Sequence, residues 1–384
     1  MLQARWEAGR VFLSWRLRRA LHWIGRLAAS PGARPCPPAH LLAFCPGGLG
    51  DALMFLPALR TIRAALSQTR VTLVAAPAVL QLMGELVHHV DPWRRGLGLG
   101  QLWRLGRRTR GDGGVDVFLG SVQAVHGVDA LVLALACGAS TRVSVLYPGE
   151  PYQPPGGLWT SALEIREDTH DVIQNLSLLS ALGVSEAAWV QGGELAVGAE
   201  EARQARDRLA AQGIDERLPL LGLHPGGDPM LAHKRWPAGS FIEVARAIRA
   251  ARGAGILVFE GPDEPGLGAT IAAGIGPGAL LIRETAIRGV ASLIALCRVF
   301  LSSDSGLGHL ASALGTPAVT VMGPANPRRV APWRHRHLVV HAGLPCSPCV
   351  GGLSCPGRVK RCVEAIEADR VRAVIEAAWG DAAP

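Results

Sequence analysis

The stretch VFLSSDSGLGHLASALGTPAVTVMGP, residues 299–324, decides the predicted fold. Its apolar run 299–303 predicts a buried strand, its small-residue run 308–314 a helix, and 317–322 a second strand. Strand, helix and strand in this order form the repeating unit of a parallel α/β sheet. Such sheets bind ligands at the turns after their strands, and a polar turn follows the first strand here.

The same alternation extends outward over most of the chain in two successive series. Strands or helices are predicted at 41–45, 51–67, 71–76, 115–119, 141–147 and 170–183, and then at 218–223, 238–251, 255–260, 279–283, 290–298, 299–303, 308–314, 317–322 and 363–379. Residues 94–114 are left unassigned. Two series of similar size predict an α/β protein with two doubly wound, Rossmann-like domains facing each other across a cleft. The predicted divisions are a basic helix at 1–35, domains at 36–190 and 215–345, and a cysteine-containing segment at 346–384.

Charge and hydropathy narrow the class of protein. The 384 residues include 39 basic and 31 acidic ones, and the net charge of +8 favours anionic partners. Nucleic acid is the least favoured of these, because the chain lacks zinc-finger, RNP and helix-turn-helix patterns and has few aromatic residues for base stacking. Charged or helix-breaking residues interrupt every apolar run before the roughly 18 residues of a membrane span. A cytoplasmic location is therefore expected.

Residues 1–30 carry six arginines against one acid, with Trp6, Trp15 and Trp23 among leucines. This composition predicts an amphipathic helix. One interpretation is peripheral contact with an anionic membrane surface. The other is a helix that packs on its own domain. Both stay open.

The segment CPGGLGDALMFLPALRTI, residues 45–62, places a glycine-rich turn between a strand and a helix. It matches neither the dinucleotide fingerprint nor a Walker loop, and it carries a carboxylate, Asp51. Asp51 at a helix start has two interpretations. It caps the helix, or it is a general base that takes the proton from an incoming hydroxyl.

Two further turns contain groups suited to an anion. In 222–241, Gly226 and Gly227 follow a strand and Lys234 precedes a helix, a combination that suits a diphosphate. In 299–324, Ser305 is placed to cap a helix whose first amides face an anion. A Ser-His-Asp hydrolase is disfavoured, because Asp304, Ser305 and His309 lie within one stretch of six residues, whereas the triad members of hydrolases are dispersed along the chain. The G-x-S-x-G elbow is also missing from the sequence.

Taken together and in this order, the three segments resemble glycosyltransferase family nine, the heptosyltransferases of lipopolysaccharide core assembly. The resemblance covers most of residues 41–380. It implies a GT-B fold and a nucleotide-sugar donor, ADP-heptose or a similar one, bound mainly by the C-terminal half. It further implies inversion at the anomeric carbon without a catalytic metal, and a glycolipid of the lipopolysaccharide type or a protein as acceptor.

The resemblance also assigns roles to individual residues. It identifies Asp51 as the general base, Lys234 as the catalytic contact to donor phosphate and sugar, and Asp304 as the acid that holds the donor sugar. The remaining donor-binding positions are Gly226, Gly227, Glu260, Glu264, Ser305, Gly306 and His309. Among them, Glu260 and Glu264 belong to the loop 260–264, which resembles the stretch of the family that reaches the nucleoside ribose. At 225–227 the sequence Pro-Gly-Gly stands where heptosyltransferases often carry hydroxyl residues, so the identity of the donor stays open.

The eight cysteines fall into two groups. Four are scattered in apolar surroundings and are expected to pack in the core: Cys36, Cys45, Cys137 and Cys297. Four are clustered with C-x2-C-x5-C-x6-C spacing: Cys346, Cys349, Cys355 and Cys362. Four such thiolates predict a structural zinc or iron site, with free thiols as the alternative. The cluster resembles those found in part of this family, including the autotransporter heptosyltransferases, where such a cluster holds a structural iron.

A protein of another class is the alternative to a transferase. It is a non-catalytic relic of the GT-B fold that binds nucleotide sugars or partner proteins. The presence of Asp51, Lys234 and Asp304 together favours the enzyme, because a relic has no chemical reason to keep all three.

Overall fold

A computed structural model describes residues 37–111, 113–126, 128–146, 159–192, 195–215, 217–227, 229–349 and 361–381. The helix predicted at 1–35 lies outside these ranges. The chain divides into two compact units, Met1–Gly193 and Glu194–Pro384. Within the described ranges, no helix combines the length and the apolarity needed to cross a membrane.

In the described part of the first unit, six parallel strands form one sheet in the order β3-β2-β1-β4-β5-β6. The strands are β1 His40–Cys45, β2 Arg70–Ala75, β3 His89–Pro92, β4 Val117–Gly120, β5 Thr141–Leu146 and β6 Ser161–Glu164. The helices are α1 Leu49–Ala65, α2 Pro77–Met83, α3 Leu99–Arg110, α4 Val128–Ala136 and α5 Asp171–Ser177. The central strand β1 is buried along its whole length, as expected for a parallel strand whose apolar residues are covered on both faces.

The described part of the second unit repeats this plan, with the order β12-β11-β10-β7-β8-β9 and parallel pairing throughout. Its strands are β7 Leu220–His224, β8 Gly255–Phe259, β9 Ala279–Ile282, β10 Val299–Ser303, β11 Ala318–Met322 and β12 Val339–His341. Its helices are α6 Ala199–Ala211, α7 Ala238–Arg252, α8 Leu267–Ile275, α9 Ile287–Ala295, α10 Gly306–Leu314, α11 Pro327–Val330, α12 Arg361–Glu364 and α13 Ala368–Asp381.

Both sheets have the strand order 3-2-1-4-5-6 of the doubly wound Rossmann fold, counted within each unit. The prediction of two Rossmann-like α/β halves is therefore confirmed. The strand order reverses between β1 and β4 in the first unit and between β7 and β10 in the second. Ligands of such sheets bind outside the carboxyl ends of the strands at this reversal point.

Two local predictions differ from the structure. The unassigned stretch 94–114 contains the helix α3, and the single helix predicted at 363–379 is divided into α12 and α13. At the division, the carbonyl of Ile366 accepts a hydrogen bond from the indole Nε1 of Trp236 at 3.0 Å. The short segment between the two helices therefore contacts the side chain of Trp236 through this carbonyl.

Three of the scattered cysteines pack as predicted. Cys45, Cys137 and Cys297 are buried, and Cys36 lies outside the described ranges. Burial raises the pKa of the Cys45 thiol to about 12 and that of Cys137 to about 11. Thiols with such pKa values stay protonated and unreactive near neutral pH, so they serve the core.

Candidate active site

Asp51 lies at the reversal point of the first sheet, directly after β1. It is the third residue of α1, and its Oδ2 accepts a hydrogen bond from the amide of Gly48 at 2.8 Å. The carboxylate lies so close over Gly47 that a Cβ at that position would overlap it. The capping role is thus observed. A cap and a general base are compatible, because the positive end of the helix dipole favours the ionised carboxylate that a base requires.

The corresponding turn of the second unit follows β7 and contains Gly226 and Gly227. A Cβ on Gly226 would overlap the carboxyl group of Glu264, so only glycine fits there. Gly227 has a φ of +144°, a conformation that favours glycine. Arg235 holds the same turn through a 2.7 Å hydrogen bond from its Nη2 to the carbonyl of Gly227.

Lys234 and Asp304 come together as an ion pair at this reversal point. The Nζ of Lys234 lies 2.9 Å from Oδ2 of Asp304, although 70 residues separate them in sequence. The Lys234 segment is fixed to β10 by a 3.1 Å hydrogen bond from the amide of Trp236 to Oγ of Ser303. An ammonium and a carboxylate at the end of β10 can contact a phosphate and a sugar hydroxyl side by side.

His224, which the sequence analysis did not single out, links two of the predicted residues. Its Nδ1 lies 2.8 Å from Oγ of Ser305, and its Nε2 lies 3.2 Å from Oε1 of Glu264. All three side chains are buried. The one sequence signal for His224 is a polar residue that ends the otherwise apolar strand LLGLH.

This row is not the triad of a serine hydrolase. In those enzymes the serine hydroxyl bonds to Nε2 of the histidine and the acid bonds to Nδ1. Here Ser305 bonds to Nδ1 of His224 and Glu264 bonds to Nε2. The imidazole has the opposite orientation, which agrees with the sequence argument against a hydrolase.

The two acids predicted near the donor ribose are held by their own chain. Glu264 accepts hydrogen bonds from the amides of Gly261 at 2.7 Å and Gly227 at 3.2 Å. Burial alone raises its pKa, but the hydrogen bond from His224 and these amides outweigh burial and lower the pKa to about 2. Glu260 is likewise buried and accepts from the amide of Ala269 at 3.0 Å. Both carboxylates therefore organise the loop after β8, and a ribose contact by either stays a prediction.

Ser305 and His309 flank the start of α10. Ser305 occupies the N-cap position before Gly306, the first residue of the helix, but its side chain makes no capping hydrogen bond. The predicted cap is therefore wrong, because the hydroxyl of Ser305 bonds to His224 instead. Burial lowers the pKa of His309 to about 4, with Asp304 raising it and Lys234 lowering it further. His309 is therefore a neutral imidazole near neutral pH, next to the Lys234–Asp304 pair.

The structure describes three of the four clustered cysteines. Cys346 is exposed, Cys349 is half-buried and Cys362 is buried, while Cys355 lies outside the described ranges. Within those ranges, no group of three or more His, Cys, Asp or Glu side chains is arranged to hold a metal ion.

Two doubly wound halves, each carrying polar or charged side chains at its reversal point, fit the GT-B architecture predicted for a two-domain glycosyltransferase. A model of glycosyltransferase family 9 (heptosyltransferase) matches residues 130–357, more than half of the chain. The chain belongs to that family.

The chain resembles a curated relative in sequence and a solved structure in fold. A lipooligosaccharide heptosyltransferase 2 from Campylobacter jejuni is 29% identical over 158 residues, 40% of this chain and 48% of that protein. The chain thus spans about half the length of this curated relative. The glycosyltransferase family 9 structure from Veillonella parvula is 19% identical, with a TM-score of 0.73 over 89% of this chain and 97% of that one.

The ADP-heptose lipopolysaccharide heptosyltransferase II of Escherichia coli is 21% identical, with a TM-score of 0.69. It covers 89% of this chain, and 99% of its own length is matched. At this identity the likeness shows the fold, and it confirms the predicted GT-B architecture of two α/β domains.

Proposed function

We propose that this chain is an inverting glycosyltransferase that transfers heptose from ADP-heptose to an acceptor of the lipopolysaccharide type. The observation that carries the proposal is the donor-side cluster of the second unit. There the Lys234–Asp304 pair, the Gly226–Gly227 turn and the N-terminus of α10 after Ser305 meet at the end of β10. These groups supply an ammonium, backbone amides and a helix dipole to one diphosphate.

The proposed reaction is a single displacement at the anomeric carbon. Asp51 takes the proton from the acceptor hydroxyl as its oxygen attacks that carbon. The bond from the carbon to the diphosphate breaks, and the nucleoside diphosphate leaves with the electron pair. Lys234, together with the amides that follow Ser305, stabilises the developing negative charge in place of a divalent cation.

The acceptor and the location follow from the same proposal. A nucleotide-activated donor and a lipid-linked acceptor meet at the cytoplasmic face of the inner membrane, where we propose that the enzyme acts as a cytoplasmic or peripheral protein. The net charge of +8 supports contact with an anionic acceptor or membrane surface. The sequence analysis also allows a protein as acceptor. Transfer assays with a glycolipid and with a protein compare the two kinds of acceptor directly.

Thermal unfolding of the full chain with ADP, GDP, UDP and their sugars tests the donor. A ligand at 100 times its dissociation constant adds about 2.7 kcal/mol to the free energy of unfolding. For a unit of this size, Tm should rise by about 5–10 °C. We expect the largest shift with ADP-heptose, without added magnesium. If no nucleoside diphosphate or nucleotide sugar shifts Tm at millimolar concentration, the proposed donor site is wrong.

A structural zinc or iron at Cys346, Cys349, Cys355 and Cys362 is a separate proposal that rests on their spacing and soft thiolate chemistry. Elemental analysis of protein prepared without added metal should give about one equivalent. Cys349→Ser should lose the metal, whereas Cys137→Ser, which alters a core thiol, should keep it. Fewer than about 0.2 equivalents in the unaltered chain would end this proposal.

A further inference from the structure

Ser305, His224 and Glu264 form a buried row of hydrogen bonds, and the protonation of His224 decides which side chain is the donor in each bond. The three residues come from three segments: the start of α10, the end of β7 and the loop after β8. Their hydrogen bonds leave each ring nitrogen of His224 with one neighbour, Ser305 at Nδ1 and Glu264 at Nε2. The geometry therefore couples the hydroxyl group of Ser305 to the protonation state of His224.

Glu264 fixes the first proton. The amides of Gly261 and Gly227 both donate hydrogen bonds to its carboxylate, at 2.7 and 3.2 Å, and such donors favour the ionised form whatever the state of His224. An ionised carboxylate only accepts hydrogen bonds. Nε2 of His224 must therefore carry a hydrogen, and only the state of Nδ1 can vary.

The state of Nδ1 decides what Ser305 offers to a ligand. With a neutral imidazole, Nδ1 is an acceptor, so the hydroxyl hydrogen of Ser305 points to His224 and only oxygen lone pairs face the ligand. With an imidazolium, Nδ1 donates to Oγ of Ser305, and the hydroxyl hydrogen is released toward the ligand. Phosphate oxygens of a nucleoside diphosphate accept hydrogen bonds, so they favour the second state.

We propose that His224 takes up a proton when a nucleoside diphosphate binds against Ser305, which makes Ser305 a hydrogen-bond donor to the phosphate. The inference rests on the proposed function for its ligand class. It goes beyond that function by identifying His224 and Glu264 as positioning residues that act through Ser305. In physical terms, the imidazolium is held between the carboxylate of Glu264 and the arriving anion.

The other ionisable groups of the donor-side cluster contribute to the electrostatic potential around a bound diphosphate. The Lys234–Asp304 pair lies at the end of β10 and is internally compensated. Arg235 adds a positive charge at the Gly227 carbonyl. His309 is neutral near neutral pH because burial lowers its pKa to about 4.

Calorimetric titration of the full chain with ADP, in buffers of different ionisation enthalpy, tests this inference. The number of protons taken up per ADP near neutral pH should be larger in the unaltered chain than in His224→Gln, by at most about one proton because a single imidazole nitrogen is involved. Protons taken up by ADP itself are common to both proteins and cancel in the difference. As the pH rises, the affinity of the unaltered chain for ADP should also fall more steeply than that of the variant, by at most about tenfold more per pH unit.

Ser305→Ala is the second variant, because it removes the hydroxyl but leaves the His224–Glu264 bond in place. It should lose the additional proton uptake as His224→Gln does, whereas a purely structural role of the row would leave the uptake unchanged. Equal proton uptake in the unaltered chain and His224→Gln, with ADP bound to both, would overturn the inference and leave the proposed function intact. Failure of the unaltered chain to bind any nucleoside diphosphate overturns both.

Discussion

Asp51→Asn is expected to lower the turnover number by about 10²-fold or more while the dissociation constant of the donor stays within about twofold. A general base acts only as the acceptor hydroxyl loses its proton, so its removal affects the rate of transfer and not the binding of the donor. Turnover of ADP-heptose and calorimetric binding of ADP, measured on the same preparations, provide the two numbers.

Asparagine is the informative replacement because it keeps the capping contact. Its side-chain amide oxygen can accept the hydrogen bond that Gly48 donates to Oδ2 of Asp51. The chain already contains such a cap, since Oε1 of Gln101 accepts from the amide of Gly98 at 2.9 Å at the start of α3. Loss of turnover in Asp51→Asn would therefore report the missing base rather than a disrupted helix.

The opposite outcome separates the transferase from the non-catalytic alternative. If Asp51→Asn transfers sugar at the rate of the unaltered chain, Asp51 is only a helix cap and the proposed mechanism is wrong. If the unaltered chain binds ADP-heptose but transfers nothing to any acceptor, the chain is the nucleotide-sugar-binding relic. Asp51→Ala, which also removes the cap, serves as the comparison for stability.

The strands that were predicted from the sequence include those inside the parallel sheets, where both faces are covered and most residues are apolar. β1, β7, β8, β10 and β11 lie inside the sheets and are recognisable as apolar runs. The edge strands β3 and β6 were not predicted, because they are short and partly exposed and alternate with polar residues. The pattern of α3 was masked by its arginines, since only Leu102 and Leu105 among its larger apolar side chains are buried.

Within the site, local chemistry was predictable and long-range pairing was not. Ser305 was placed correctly at the start of a helix, because a hydroxyl residue before a small-residue helix is a local signal. Its partner His224 lies 81 residues earlier. The two meet because β7 and β10, although distant in sequence, are neighbours in the sheet. Only the strand order contains that information.

Glu264 shows the same limit in another form. The family resemblance assigned it to the donor, because the loop 260–264 resembles the stretch that reaches the nucleoside ribose. In the structure its carboxylate bonds to His224 and to the amides of Gly227 and Gly261. Whether an acid faces a ligand or its own backbone depends on the path of two loops, and local spacing does not define that path.

Lys234→Met is expected to weaken ADP binding by about 10²-fold or more and to lower the transfer rate further. Lys234 is paired with Asp304, whose side chain is only 9% exposed. Breaking a fully buried pair costs about 3–5 kcal/mol, and solvent reduces that cost here because the side chain of Lys234 is 20% exposed. Without the ammonium, Asp304 is left as an uncompensated negative charge at the turn where the diphosphate is proposed to bind.

The choice of lysine at this position is itself informative. Only Lys234 and Lys360 among the 39 basic residues are lysine, and all the others are arginine. A compact ammonium can contact a carboxylate and a phosphate from one point, whereas the planar guanidinium needs room for its fork. We therefore expect Lys234→Arg to restore the positive charge but to recover less than about a tenth of the lost affinity.

A double-mutant cycle separates attraction to the ligand from support of the fold. Asp304→Asn removes the repulsion that Lys234→Met exposes, so the double variant should bind ADP more tightly than Lys234→Met alone. The readouts are the calorimetric affinity for ADP and the Tm without ligand. If Lys234→Met binds ADP like the unaltered chain and only Tm falls, the pair serves the fold alone. Because Lys234 supplies the cluster's ammonium, that result would also remove the main charge argument for a diphosphate at the end of β10.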